Sequence, residues 1–261
     1  MNTYISLDYR EHVGYLSFSP EDPKKPPTLD YDVLDELEQH LKKIRLESES
    51  LNALIVQSHS PKYFIVGANL EALKTINQDS IIHWVRRGHE VFNMLEDLPL
   101  PVIAKVSGYA LGGGLELAMA CDFIVSSENA SFGQPETGLG FIPGWGGSRR
   151  FPRRIGEAKA KELIFTGKII SAAEAYRMGL INFVGTEQEL DEYIAATLQN
   201  IAQKSRLANA IVKDLIKHGL TSDRQANCYE ESLASSVCLA SGDTQHRLEE
   251  FFRKKEKRID H

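Results

Sequence analysis

Cysteine is scarce in this sequence, and its few copies are not spaced for a metal site. The 261-residue chain has three cysteines, Cys121, Cys228 and Cys238, with no CxxC pair among them. The eight histidines form no metal-like cluster either. Cys121 stands in an apolar segment, which favours a reduced thiol in an intracellular compartment. We therefore expect no metal site in this chain.

Long apolar runs and an excess of basic residues are absent as well. No stretch approaches the ~18 uncharged apolar residues that a membrane-spanning helix needs. The first residues, Met-Asn-Thr-Tyr-Ile-Ser-Leu-Asp, lack the basic region and apolar run of a secretory signal. The formal net charge is −6, whereas a general nucleic-acid binder is normally basic. We expect a cytoplasmic protein that binds neither membrane nor nucleic acid.

The residues that are present are those of an ordinary globular chain. Hydrophobic residues make up 42% and charged residues 25% of the sequence, whose length allows a substantial core. Up to about residue 190, short apolar strands alternate with amphipathic helices, which predicts an α/β core. The predicted elements are a hairpin of strands 4–9 and 13–18, a loop over 22–27, a helix from its N-cap Asp30 to about 45, a strand over 54–56, a helix over 80–97, and strands over 101–106 and 123–125.

After residue 190 the strand signals disappear. Four helices are predicted there, over residues 190–204, 206–218, 225–240 and 243–257. The first two carry apolar faces, formed by Leu190, Ile194, Leu198 and Ile201 and by Ile211, Val212, Leu215 and Ile216. Such faces exceed what a short appendage usually hides and are typical of an interface. We therefore divide the chain into a core over 1–190 and a helical oligomerisation region over 191–261.

Three consecutive glycines, Gly112 to Gly114, stand between an apolar strand and a helix that carries Glu116. Glycine lets a backbone N–H approach a ligand closely, and a helix N-terminus presents unpaired N–H groups and a positive dipole end. Glu116 either complements that dipole or has a chemical role. Because its helix is apolar nearly all round, Glu116 should be buried, and a buried carboxylate is costly unless it is paired or functional. The sequence favours the chemical role.

A second glutamate, Glu136, follows Pro135 on a predicted loop at the end of a strand, where catalytic groups are often held. With Glu116 it would form an acid/base couple. Gly67 interrupts the apolar run 64–70 and marks either an ordinary turn or a close approach of the backbone to a ligand. His89 is expected to be a surface or packing residue. The basic run over 253–258 is either a solvated helix end or a phosphate contact.

These motifs resemble those of the crotonase (enoyl-CoA hydratase/isomerase) superfamily over nearly the whole chain. The most specific segments are Val66-Gly-Ala-Asn-Leu70, Ala110-Leu-Gly-Gly-Gly-Leu-Glu-Leu-Ala118, Phe132-Gly-Gln-Pro-Glu136 and Leu139-Gly-Phe-Ile-Pro-Gly-Trp-Gly-Gly147. The resemblance implies a spiral of repeated β-β-α units with a C-terminal helical region that forms trimers, commonly paired into hexamers. It also implies an enzyme that acts on an acyl-CoA substrate and needs no cofactor of its own.

The resemblance assigns roles to individual residues. It makes the N–H groups of Ala68 and Gly113 an oxyanion hole for the thioester carbonyl. It makes Glu116 and Glu136 the base and the acid that add water across the C2=C3 bond of a 2-enoyl-CoA, as a pair that titrates together. Substrate or CoA contacts are expected from Lys24, Lys25, Val66, Gly67, Asn69, Leu70, Gly112, Pro135, Gly144, Trp145, Lys254 and Lys257.

Three positions depart from the superfamily's usual pattern. The segment 19–29, where CoA usually binds, is rich in proline, so Lys24 and Lys25 would meet CoA phosphates or the carrier would be an acyl-carrier protein. Asn69 replaces an aspartate, which removes a charge beside the pocket. Trp145 replaces a smaller residue and either narrows the acyl end of the site or belongs to the core.

Other reactions are known on the same fold, and many of the enzymes that catalyse them lack one of the two glutamates. An enoyl-CoA isomerase or an acyl-thioester decarboxylase is therefore the alternative to a hydratase. A non-catalytic or RNA-binding relative is disfavoured by the acidic charge balance and by the intact glutamate pair.

Overall fold

The computed structural model describes residues 3–259, with side chains to residue 255. The chain forms two compact units that divide between Gln199 and Asn200. The strands are β1 (Thr3–Arg10), β2 (Val13–Pro20), β3 (Ala53–Ser58), β4 (Tyr63–Ile65), β5 (Val102–Val106), β6 (Tyr109–Leu111), β7 (Phe123–Ser127), β8 (Ser131–Gly133), β9 (Ile170–Ser171) and β10 (Phe183–Gly185). The helices are α1 (Tyr31–Glu47), α2 (Leu70–Leu73), α3 (Ser80–Glu96), α4 (Gly113–Ala120), α5 (Gly147–Ile155), α6 (Glu157–Thr166), α7 (Ala172–Arg177), α8 (Glu187–Ala202), α9 (Arg206–Gly219), α10 (Arg224–Ala240) and α11 (Gly242–Ile259).

The longer predicted elements are confirmed. Strands β1 and β2 form the antiparallel hairpin, with Thr3 opposite Pro20. Helix α1 begins after Asp30, whose side chain accepts a hydrogen bond of 3.0 Å from the N–H of Val33, as an N-cap does. Its apolar residues at helical spacing form one buried face, made of Val33, Leu34, Leu37, Leu41 and Ile44.

Successive turns of the chain add one strand to each of two sheets. Among the described residues, one sheet has the strand order β1-β2-β3-β5-β7-β10 and the other the order β4-β6-β8-β9. The pairs β3–β4, β5–β6 and β7–β8 thus place consecutive strands in different sheets, and helices follow each pair. This arrangement confirms the predicted α/β spiral of β-β-α units. Several short strands, β4, β6, β8, β9 and β10, were not predicted from the sequence.

The second sheet determines where a site can form. Strands β4, β6 and β8 are parallel neighbours, so their carboxyl ends meet at one edge. The segments that follow these ends hold Gly67, Gly112 and Glu136. Directly behind this edge lies α4, every residue of which is buried.

The second unit consists of helices, as predicted. Helix α8 begins in the first unit, where Leu190 and Ile194 are buried, so the expectation that these two residues form an open apolar face is wrong. Within the second unit, α9 to α11 expose large apolar side chains, among them Val212, Ile216, Leu233, Val237 and Phe251. The oligomerisation role of this region stays a prediction. Among the helices of residues 3–259, none combines the length and the apolar character of a membrane span.

Candidate active site

A cavity of about 490 Å³ opens at the common edge of β4, β6 and β8. It brings together most of the residues that the sequence marks for a site. These are Val66, Gly67, Ala68, Asn69, Leu70, Gly112, Gly113, Glu116, Pro135, Glu136, Gly144 and Trp145. Residues from three separate loops therefore converge on one space.

Two glycines allow the loops after β4 and β6 to touch. Gly67 has a φ of +101° and Gly112 a φ of +53°, in the left-handed region that favours glycine. A side chain at Gly67 would also begin 3.3 Å from the carbonyl oxygen of Leu111 and 3.4 Å from the nitrogen of Gly113. The backbone of Gly67 therefore closely approaches that of Leu111 and Gly113, which places the loop of Ala68 against the N-terminus of α4. Its approach to a ligand stays a prediction.

The N–H groups of Ala68 and Gly113 are not used in the backbone hydrogen bonds that their neighbours form. Leu29 pairs with Ala68 in an isolated parallel bridge, in which Leu29 donates to the carbonyl of Gly67 (2.9 Å) and accepts from the N–H of Asn69 (2.7 Å). These two bonds do not use the N–H of Ala68. Gly113 is the first residue of α4, where an N–H has no acceptor within its own helix. Both residues line the cavity and could donate to one oxygen atom there.

Glu116 is held at the end of the cavity by two backbone donors. Its side chain is only 2% exposed, and Oε1 accepts hydrogen bonds from the N–H groups of Trp145 (2.8 Å) and Gly147 (2.6 Å). Burial raises the pKa of Glu116 to about 8, against the lowering effect of the two N–H donors, and the nearby charge of Glu136 adds to the rise. A carboxylate with this pKa can exchange a proton near neutral pH.

Glu136 begins a 3-10 turn just after β8 and is partly open to solvent. Burial raises its pKa to about 7. The fully buried amide of Gln134 faces its carboxylate; with the amide nitrogen turned towards it, the distances are 2.8 Å to Oε1 and 3.0 Å to Oε2. The sequence showed Gln134 only as part of a motif, and the structure adds it as the partner of Glu136.

Trp145 belongs both to the cavity wall and to the core. Its side chain is 3% exposed, and its ring packs against Trp84 and Phe92, with ring centroids 4.9 and 5.6 Å away. Trp145 therefore belongs to the core, and its narrowing of the acyl end of the site stays a prediction. Trp84, from helix α3, lines the cavity as well and was not predicted to do so.

Arg150 holds the turn that donates to Glu116. Its guanidinium is almost fully buried and donates to the carbonyl of Trp145 (2.9 Å), to Asn93 (2.9 Å) and to Glu96. Burial is the largest influence on Glu96, yet the charges of Arg150 and Arg149 keep the pKa of Glu96 below its ordinary value.

Three of the predicted CoA contacts, Lys24, Lys25 and Lys254, are not among the described residues that line the cavity. Lys24 and Lys25 are exposed on the loop before Pro26, which does line the cavity. Lys254 is exposed on α11 in the second unit, and the side chain of Lys257 lies outside the described residues. Their contact with CoA stays a prediction.

Asn69 caps a helix, and His89 packs partly buried on another helix. Asn69 caps helix α2 by accepting from the N–H of Glu71 (3.0 Å) and of Ala72 (3.4 Å), a task that asparagine and aspartate perform equally well. His89 is partly buried on α3, and burial together with the charges of Arg150 and Arg149 lowers its pKa. Among the described side chains, no group of three or more His, Cys, Asp and Glu could hold a metal ion.

Comparison with known proteins agrees with this geometry. The chain is 35% identical to a crotonyl-CoA hydratase of Syntrophomonas wolfei over 251 residues, 96% of this chain and 95% of that protein. It is 38% identical to a short-chain-enoyl-CoA hydratase of Clostridium acetobutylicum over 233 residues, 89% of each chain. The crystal structure of an enoyl-CoA hydratase from Bacillus anthracis superposes with a TM-score of 0.89 at 36% identity and covers 97% of both chains.

The repeated β-β-α fold, with two glutamates beside a glycine-rich helix start, is that of a crotonase-superfamily enzyme. The chain belongs to the enoyl-CoA hydratase/isomerase family, whose model matches residues 11–259. The resemblance seen in the sequence is thereby confirmed, and the chain is an enzyme of this family.

Proposed function

We propose that this enzyme adds water across the C2=C3 bond of a 2-enoyl-CoA thioester. One observation carries the proposal: Glu116 and Glu136 line a single cavity beside the N–H of Gly113, and burial raises the pKa of both carboxyls. The relatives named as crotonyl-CoA and short-chain-enoyl-CoA hydratases support the same reaction. The reaction uses no metal ion or organic cofactor, and the acyl-CoA is the substrate.

The thioester oxygen accepts hydrogen bonds from the N–H groups of Ala68 and Gly113. These donors stabilise the negative charge that develops on the oxygen when C3 is attacked. Glu116 removes a proton from water as the new C3–O bond forms, and the π electrons of C2=C3 move towards the carbonyl. Glu136 then delivers a proton to C2 as the enolate collapses. Glu116 gains the proton that Glu136 loses, so the pair returns to its starting state by a proton transfer.

An isomerase and a decarboxylase would also pass through an enolate of the thioester. Neither reaction needs a second carboxyl group to activate water, so the presence of both glutamates in the cavity favours hydration. The carrier of the acyl group is CoA in this proposal, with an acyl-carrier protein as the alternative. The family's assembly, a homotrimer or a dimer of trimers, is proposed for this chain through the exposed apolar side chains of α9 to α11.

The direct test is an assay of purified protein with crotonyl-CoA, in which loss of the conjugated C=C absorbance reports hydration. A 3-enoyl-CoA and the matching acyl-carrier-protein thioester are followed in parallel. Glu116→Gln and Glu136→Gln should each lower kcat by about 10²–10⁴-fold, as expected for loss of a positioned acid or base. Glu128→Gln is the matched control, since Glu128 is exposed and does not line the cavity.

Three results would contradict the proposal. Conversion of only the 3-enoyl-CoA would make the protein an isomerase. Reaction of only the acyl-carrier-protein thioester would show that the carrier is an acyl-carrier protein and not CoA. A glutamine variant with kcat within a few-fold of the wild type would remove that glutamate from the mechanism.

A further inference from the structure

Trp145 occupies the wall of the cavity next to the proposed oxyanion hole. Its indole forms this wall together with Trp84 and Val85. We propose that Trp145, held by Trp84, closes the acyl end of the cavity and restricts the enzyme to short 2-enoyl groups. This inference rests on the function proposed above and names its substrate class.

One edge of the indole lies against Gly113. A methyl group added at Gly113 would lie 2.7 Å from Cζ3 and 2.8 Å from Cε3 of Trp145, so the ring already fills the space beside this glycine. Because the N–H of Gly113 would hold the thioester carbonyl, the indole begins within a few atoms of the reacting carbons. A small residue at position 145 would leave a ring-sized space there for additional carbons of the acyl chain.

The opposite edge of the indole is fixed by helix α3. A methyl group at Gly88 would lie 2.2 Å from both Cδ1 and Nε1 of Trp145, so the helix carries a glycine where the ring packs. Nε1 also donates to the backbone carbonyl of Trp84 (3.4 Å). The indole therefore spans the gap between α3 and α4 with contacts on both edges. It is a fixed wall, because rotation away from the cavity would break these contacts.

The second ring of the wall is supported from its other side. Trp84 is 3% exposed, and Tyr31 packs edge-on against it with ring centroids 4.7 Å apart. Ile81 and Val85, on the same helix, continue the apolar lining. Such a surface suits a short aliphatic group, and a packed interior adjusts little to added methylenes.

The test compares kcat/KM for trans-2-enoyl-CoA thioesters of four to ten carbons. The efficiency of the wild type should fall as the chain lengthens. Trp145→Ala should raise the ratio of ten-carbon to four-carbon efficiency by at least about 10-fold, because a single methylene in an apolar pocket changes selectivity by roughly 10–200-fold. Trp145→Phe should give a smaller shift in the same direction, and it replaces the alanine variant if that variant does not fold.

Phe92→Leu is the matched control. Phe92 packs on the same indole but is fully buried in the core and does not line the cavity. Its substitution should lower stability and leave the chain-length ratio unchanged. Calorimetric Kd values for butanoyl-CoA and decanoyl-CoA give a readout that does not depend on the reaction. The wild type and Phe92→Leu should bind butanoyl-CoA more tightly than decanoyl-CoA, whereas Trp145→Ala should not.

The outcomes separate this inference from the proposed function. Equal efficiency at all chain lengths in the wild type, or an unchanged chain-length ratio in both Trp145 variants, would contradict the proposed role of Trp145. Neither result would contradict the proposed hydratase activity. A protein that binds butanoyl-CoA more tightly than decanoyl-CoA but hydrates no enoyl-CoA would contradict the hydratase activity and support the proposed role of Trp145. A protein that binds neither thioester would overturn both.

Discussion

Glu116 and Gly147 are joined by a hydrogen bond of 2.6 Å, from the N–H of Gly147 to Oε1 of the carboxylate. The bond connects the first turn of α4 with the first residue of α5. A side chain at position 147 would begin 2.9 Å from the same oxygen, so the approach depends on the absence of a side chain there. The position of Glu116 is therefore set by a turn that lies about thirty residues further along the chain.

This arrangement leads to a bell-shaped pH dependence of kcat/KM for the proposed hydration. Burial raises the pKa of Glu136 to about 7 and that of Glu116 to about 8. At low pH both carboxyls are protonated and no base is present, whereas at high pH both are ionised and no acid is present. The pair holds one proton in between, so activity should peak between pH 7 and 8. A profile that stays flat from pH 5 to pH 10 would contradict this assignment.

The burial of Glu116 should also make the free energy of unfolding depend on pH. The folded-state pKa of Glu116 lies above its ordinary value of 4.5, so its contribution to stability is full below that value and is lost as pH rises through about 8. Glu116→Gln removes this loss and keeps an oxygen that accepts from the N–H groups of Trp145 and Gly147. The free energy of unfolding of the variant, relative to the wild type, should therefore be higher at pH 9 than at pH 5. Urea denaturation at both pH values measures it, and Glu128→Gln should show no such difference.

The proposed oxyanion hole can be tested at Gly113. Proline there removes the N–H, and activity should fall by at least the ~10²-fold that loss of one donor typically causes. Because any side chain at Gly113 meets the ring of Trp145 at 2.7 Å, Gly113→Ala is the control: it makes the same collision but keeps the N–H. The proline variant should be ~10²-fold less active than the alanine variant. Equal activity of the two folded variants would place the carbonyl elsewhere.

Arg150 should matter for both stability and turnover. Arg150→Ala leaves Glu96 without its buried partner, and such a loss typically costs about 3–5 kcal/mol. Since Arg149 also pairs with Glu96, at 2.6 Å, we expect about 3 kcal/mol, the lower end of that range. The carbonyl of Trp145 loses its donor as well, so kcat should fall. Arg153→Ala, at an exposed site on the same helix, should change neither the urea midpoint nor kcat.

Assembly is tested by truncation after Gly242. The removed helix α11 exposes Leu248, Phe251 and Phe252, so its loss should lower the oligomeric mass measured by light scattering. The same truncation should raise KM for the CoA thioester, because Lys254 and Lys257 are lost. The double variant Lys254→Ala/Lys257→Ala separates the two effects, since it should raise KM at unchanged mass. A full-length protein that is monomeric at micromolar concentration would exclude the proposed trimer.

The sequence predicted long elements better than short ones. The helical periodicity of α1 and α3 extends over several turns, so both helices could be predicted from the sequence. Strands β4, β6 and β8 have three residues each, too few for an alternating pattern to show. Their parallel pairing nevertheless determines which loops meet at the site, and that information is not contained in any one segment.

Some residues of the candidate site could be predicted from the sequence, and others could not. Glycine and glutamate motifs identified Gly67, Gly112, Glu116 and Glu136, since a close backbone approach and a buried carboxylate both leave a local signal. The contacts that support these residues leave none. Trp84 and Trp145 are 61 positions apart, and Arg150 meets Asn93 across 57 positions, so only the packing of α3 against α4 and α5 joins them.

The contact between Gly88 and Trp145 also restricts how this sequence can evolve. A glycine inside a helix costs about 0.5–1 kcal/mol relative to alanine, so Gly88→Ala would otherwise be a favourable change. It is blocked while the indole is present, because the new methyl group would lie 2.2 Å from the ring. Replacement of Trp145 before Gly88 is possible, because loss of the indole leaves space for the new methyl group and causes no collision. A descendant lineage must therefore replace Trp145 before Gly88. Under the proposed role of Trp145, its acyl preference would change before helix α3 could become more stable.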